Sequence, residues 1–281
     1  MKLNKGIIAL LIFTVLCCGA FVAYRYKTVD MLDRKSPVIT MSDEIIEVTV
    51  DYEDADLLAG ITATDDRDGD VTSSLLVERM MYIDKDKVAA IKVAAFDKSG
   101  NVAKAERKVK IVDYESPKFT LSKPLVFPEG STFDAFACIS AYDIFDGNIS
   151  ERIKGVLKSE HPSGNVMDGD MVEFRVSNSL GDPSYLEVPI KMYQSGEFNT
   201  DVVLDTYLVY IKKDTSFNAR EHLRKFVHGA TSIDLKDPPN SCNIEIVSNV
   251  NPKVCGLYWA DYYVDLLPNR GFTRIYVVVE E

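Results

Sequence analysis

The chain has 281 residues, 46% of them hydrophobic and 27% charged, with a formal net charge of −11. That length calls for more than one compact domain, and that hydrophobic share excludes a wholly disordered chain. The acidic balance argues against a nucleic-acid partner, whose phosphates need clustered Lys and Arg.

In chain order, a basic start (residues 1–5) leads into an uncharged apolar run at residues 6–24. At about 1.5 Å per residue that run just crosses a hydrocarbon core, so it reads as a transmembrane anchor. Two alternatives stand beside it. A cleaved signal peptide would exit at Cys18-Gly19-Ala20, and a lipoprotein would use Cys17 or Cys18, each with a poor fit to the small residues such sites want. Residues 25–34 read as a polar stalk. Lys2 and Lys5 lie before the run, and Arg25, Lys27, Arg34 and Lys35 lie after it. A simple count of these bases would put the C-terminal bulk inside the cell, but large domains translocate largely regardless of charge. The domains that follow are extracellular in kind, and an outside location is expected for them.

Beyond the stalk a pattern is written twice. Asp33-Arg34-Lys35-Ser36-Pro37 returns as Asp113-Tyr114-Glu115-Ser116-Pro117. Each copy is followed by an acidic turn, Asp65-Asp66-Arg67-Asp68-Gly69-Asp70 and then Asp143-Ile144-Phe145-Asp146-Gly147-Asn148. The period of roughly 80 residues is too long for a solenoid and suits a whole β-sandwich. In the first copy, residues 45–50, 75–82, 88–96 and 102–112 are rich in β-branched and apolar side chains and read as strands. Asp97-Lys98-Ser99-Gly100-Asn101 is the hairpin turn between the last two. The second copy repeats the order, with strands at 125–127, 171–176 and 185–192 and the turn Asn178-Ser179-Leu180-Gly181-Asp182. A third, degenerate copy opens at residues 207–211 and closes with a hairpin of 256–264 and 272–279. Residues 219–226 fit one short helix, and no second anchor is expected after the final strand. The expected architecture is all-β, three tandem Ig-like sandwiches after one transmembrane helix, with domains at 35–113, 114–195 and 200–281.

These residues resemble the bacterial surface Ig-like domain family, whose modules occur in tandem on exported bacterial proteins and in some pesticidal crystal proteins. Hyalin-repeat and cadherin-like domains are similar in appearance. The resemblance rests on the opening Asp33 to Pro37, the central Ala63-Thr64-Asp65-Asp66-Arg67-Asp68-Gly69 and the closing Asp97-Lys98-Ser99-Gly100-Asn101. It covers residues 33–193 and fades beyond them. It implies an Ig-like sandwich, and implies no single ligand, because such sandwiches host many functions.

Four features carry candidate chemistry. Asp65, Asp66, Asp68 and Asp70, joined by Asp97, offer oxygen ligands for calcium, while the same Asp and Gly types also simply build turns. The EF-hand spacing is missing, since no Glu follows Gly69 at the required distance. The linker acids Asp113 and Glu115 could stiffen a joint through calcium, although Pro117 already restricts it. Cys242 and Cys255 are candidates for a disulfide in an exported domain. Tyr258, Trp259 and Tyr262 form an aromatic cluster that either packs a core or makes a binding surface for protein or sugar. His161, His222 and His228 lack zinc spacing, Ser216, Ser241 and Cys138 lack a triad signature, and no phosphate loop is present. The chain therefore reads as a non-enzymatic, cofactor-free surface protein that meets the membrane through residues 6–24. An outside protein or glycan partner would dock on the distal domain. The alternatives are a spacer or accessory subunit of an envelope complex, or a carbohydrate-binding module.

Overall fold

The computed structural model describes residues 5–31, 33–42, 45–132, 134–159 and 166–281. Residues 1–4, Phe133 and His161 lie outside the described residues. The chain divides into two compact units, Met1–Tyr114 and Glu115–Glu281.

The first unit opens with a helix at Lys5–Met31, of which Gly6–Lys27 is long and apolar enough to cross a membrane. Its described side chains are exposed throughout. The helix continues through residues 25–31, which had read as stalk, because Arg25-Tyr26-Lys27-Thr28-Val29-Asp30 holds no Gly or Pro to break it. A sandwich follows. In one sheet Val38–Met41 pairs with Ile61–Asp65, which pairs with Gly69–Asp70. The other runs Ile45–Val48, Val102–Ile111, Val88–Phe96, Leu76–Ile83, with the first pair parallel. Alternation along Val88–Phe96 sends Ala89, Ile91, Val93 and Ala95 to complete burial on one face. A short helix, Asp54–Leu58, escaped the sequence reading. It plugs Leu57 into the core, and the buried Arg107 donates from Nη1 to the carbonyls of Leu57 and Ala59, satisfying acceptors the helix end leaves open.

The second unit contains two more sandwiches of the same topology. In the first, Lys118–Leu121 pairs Ile139–Asp143, which pairs Gly147–Asn148. Opposite lie Lys154–Lys158, Met171–Ser177 and Pro183–Pro189. Val126–Pro128 pairs parallel with Lys191–Tyr193. In the last sandwich Asp201–Leu204 pairs with Leu223–His228, which pairs with Thr231–Asp234, and the second sheet is ordered Leu208–Lys212, Asn269–Glu280, Gly256–Leu266, Asn243–Ser248. Its Leu208–Lys212 is again parallel to the final strand. The third copy has thus lost the motifs and kept the strand order. The helix expected at 219–226 is a single 3-10 turn, Ala219–His222, followed by strand Leu223–His228.

Segments 114–195 and 200–281, read as separate domains, share this one unit, and the final strand shows why. Ile275 and Val277 pack into the last sandwich's own core. On the opposite face Tyr276 and Val278 pack into the core of the sandwich before it. With both faces covered, the strand is apolar at every position from Ile275 to Val279 rather than at every second one. Tyr276 Oη donates to the Pro189 carbonyl at 2.6 Å, and Tyr210 Oη accepts from the Phe119 amide at 3.1 Å. Phe198, in the connection, stacks on Phe272 with centroids 5.3 Å apart and meets Tyr193 at 5.2 Å. The Lys118–Glu280 ion pair at 3.5 Å adds little, since exposed pairs contribute about 0–1 kcal/mol.

Candidate functional site

Among the described residues, two places gather candidate functional side chains. The first is the acidic turn of the first unit. Gly69 takes φ +74°, which lets residues 65–70 close as a tight turn at the end of strand Ile61–Asp65. Asp65 Oδ1 accepts the amides of Arg67 and Asp68, both at 2.9 Å. Those amides, Asp68 first, hold the Asp65 carboxyl below the usual carboxylate range. Asp68 Oδ2 accepts the Lys98 amide at 2.8 Å, which ties this turn to the hairpin turn at 97–101. Asp97 accepts from Asn101 through its backbone amide at 2.7 Å and its side chain at 2.6 Å. Asp65, Asp68 and Asp97 each present a carboxylate oxygen within 4.8 Å of the other two, and Asp65 also joins a second trio with Asp33 and Asp66. Asp66 is engaged by the exposed Lys35. Asp70 lies outside both trios and caps the next turn, accepting the Thr72 amide at 2.9 Å.

The second place is a groove of about 810 Å³ in the second unit. Tyr185, Leu186 and Pro189 line one side, and Leu257, Trp259 and Arg274 the other. Arg274 is buried and held by Asp261 through two contacts, Nε to Oδ1 at 2.6 Å and Nη2 to Oδ2 at 2.8 Å. Its guanidinium sits over the Trp259 ring, 5.1 Å from the centroid. The strand Gly256–Leu266 sorts the expected aromatic surface by its two faces. Trp259 turns to the groove. Tyr262 turns the other way, is fully buried in the core and donates to the Ala219 carbonyl at 2.7 Å. Tyr258 packs against that same core and donates to the Val254 carbonyl. Of the three aromatics, Trp259 alone lines the groove. Arg274 was missed in the sequence, where a lone Arg in an apolar strand carries no signal; its pairing with Asp261 across the hairpin register would have supplied one.

The expected bridge between Cys242 and Cys255 is absent, and both are free thiols. Asn243, next to Cys242, pairs with Asp265, whereas Cys255 precedes Gly256 at the other end of that strand. Nine strand residues at ~3.4 Å separate them by ~30 Å, far beyond disulfide reach. Cys138 is buried, and its thiol lies 3.7 Å from the Asp134 carbonyl. His222 contacts Asp205 at 2.9 Å, and His228 contacts the Asn199 carbonyl at 3.1 Å.

No family model matches the chain, and no curated protein does. Among solved structures it is similar to the CBM51-2 and INT domains of Clostridium perfringens ZmpB, in complex with GlcNAc, at 15% identity and TM-score 0.22, over 56% of this chain and 42% of that one. The protocadherin GammaB4 extracellular domain matches at 12% and TM-score 0.20, over 88% of this chain and 50% of that one. Human CDH23 EC21-23 matches at 14% and TM-score 0.22, over 87% and 100%. The chain spans half or less of the length of the first two. Likeness at this level assigns no function.

Proposed function

We propose that this is a non-catalytic, membrane-anchored surface protein of the bacterial Ig-like kind, with its sandwiches outside the cell and a protein partner bound at the groove beside Trp259. The observation that carries the reading is the pairing of Trp259 with Arg274 on one wall of a groove whose lining mixes apolar residues with Asp168, Glu187 and Lys191. Trp and Arg are the residue types that dominate interface energetics, and the buried Asp261 holds this Arg in place, so little order is lost on binding. A sugar partner is less well served, because Arg274 already occupies a face of the Trp259 ring on which a sugar would stack. The anchor reading rests on the helix at Gly6–Lys27.

The test is photo-crosslinking on intact cells from position Tyr185, exposed at the groove, with the exposed loop position Leu267 as control. The proposal expects a discrete adduct from 185, lost on Trp259→Ala, and none from 267. Equal labelling from both positions, or an adduct indifferent to Trp259→Ala, would overturn it.

A further inference from the structure

The two acidic turns are built alike and differ at one decisive pair. Asp143 Oδ1 accepts the amides of Phe145 and Asp146, as Asp65 Oδ1 accepts those of Arg67 and Asp68. Asp146 Oδ2 accepts the Ser179 amide, as Asp68 Oδ2 accepts that of Lys98. In the second turn, Asn178 Nδ2 then donates to Asp143 Oδ2 at 3.0 Å and completes that buried carboxylate. The first turn has Asp97 where the second has Asn178. The Asp97 side chain has no N–H to give. Asp65 Oδ2 is buried, with no hydrogen-bond partner among the described residues, on a residue only 8% exposed. A buried carboxylate oxygen left without a donor is costly, and a second carboxylate facing it adds repulsion. Lys98, whose ammonium is 3.7 Å from Asp68 and largely in solvent, does not reach into this gap.

We propose that a divalent cation, calcium, fills it, held by Asp65, Asp68 and Asp97. The donors are all carboxylate oxygens already gathered within 4.8 Å, the ligand chemistry of a hard cation, and they come from two different turns. The ion does for the first turn what the Asn178 carboxamide does for the second. Its structural consequence is to tie the turn at 65–70 to the hairpin at 97–101, closing one end of the first sandwich. Asp33 and Asp66, which share Asp65 with this trio, extend the negative surface by which the ion would enter.

The test uses the full chain in nonionic detergent, stripped with chelator and titrated with calcium chloride by calorimetry, alongside thermal unfolding. Wild type takes up one calcium per chain, and the unfolding of residues 33–114 moves up by at least about 4 °C at saturation. Asp97→Asn installs the second turn's carboxamide. It loses at least about tenfold in calcium affinity, while its chelated form unfolds at or above the wild-type temperature. Asp86→Asn, an exposed acid outside the trio, changes neither value. Wild-type protein whose heat signal and unfolding temperature ignore millimolar calcium would overturn the proposal. So would undiminished calcium binding by folded Asp97→Asn, or an equal shift from magnesium at the same concentration, which would reduce the effect to charge screening.

Discussion

Replacing Tyr276 with Phe tests whether the last two sandwiches are one cooperative body. The ring stays, so no cavity opens, and only the Oη that donates to the Pro189 carbonyl at 2.6 Å is lost. Burial pushes the Tyr276 phenol well above its ordinary value, so the hydroxyl is a donor across the accessible pH range. Removing it takes a donor from that carbonyl and an acceptor from the buried Arg274, which also hydrogen-bonds the hydroxyl, at a cost of about 1–3 kcal/mol. For a unit spanning Glu115–Glu281 each kcal/mol moves the midpoint by about 2–4 °C, so a fall of ~2–12 °C is expected in calorimetry of the full chain. Hydrogen exchange supplies the sharper readout. Strands Met171–Ser177 and Gly256–Leu266 belong to different sandwiches, and both should lose protection together. Loss confined to one of them, or separate melting of 115–195 and 200–281 in the wild type, would refute the shared-body reasoning.

Three further outcomes are expected. Gly271→Ala places a Cβ 2.7 Å from Val202 Cγ2 and 2.8 Å from the Thr200 carbonyl, and overpacking of that kind should cost about 1–3 kcal/mol in a urea midpoint. Asp261→Asn leaves the buried Arg274 without its counter-charge and should cost about 3–5 kcal/mol, with part of the loss recovered in Asp261→Asn/Arg274→Met; no recovery would show that the pair does not act as a unit. Burial pushes the Tyr210 phenol up to about 12. A phenol raised in the folded state contributes its full stability below pH ~10, the unfolded value, and loses it as pH rises through the folded value, so the second unit should weaken between pH ~10 and ~12. Tyr210→Phe should flatten that step.

The elements legible in the sequence are those whose cause is local. The strand read at 88–96 is found at Val88–Phe96, and the hairpin return read at 102–112 is found at Val102–Ile111, because the apolar and β-branched residues and the turn at Gly100 lie within one window. The strands that went unread include Val38–Met41, Ile61–Asp65, Lys118–Leu121, Ile139–Asp143, Lys154–Lys158, Asp201–Leu204, Thr231–Asp234 and Asn243–Ser248, each too short to show a period of its own. The fusion of the last two sandwiches was hidden for a different reason. An apolar run such as Ile275-Tyr276-Val277-Val278-Val279 declares burial on both faces without saying against what. At the acidic turns the sequence shows both Asp97 and Asn178, yet their meaning lies in a hydrogen bond across 35 residues that only the fold reveals. Trp259 and Tyr262 read alike as aromatics, and strand parity alone sent one to the groove and the other to the core.

The outward, anchored arrangement underlies the proposed partner, and surface proteolysis of intact cells tests it most directly, read by immunoblot against a C-terminal tag. Digestion of the full-length band in intact cells is the predicted result. Protection until the cells are lysed would place the sandwiches inside and contradict the account.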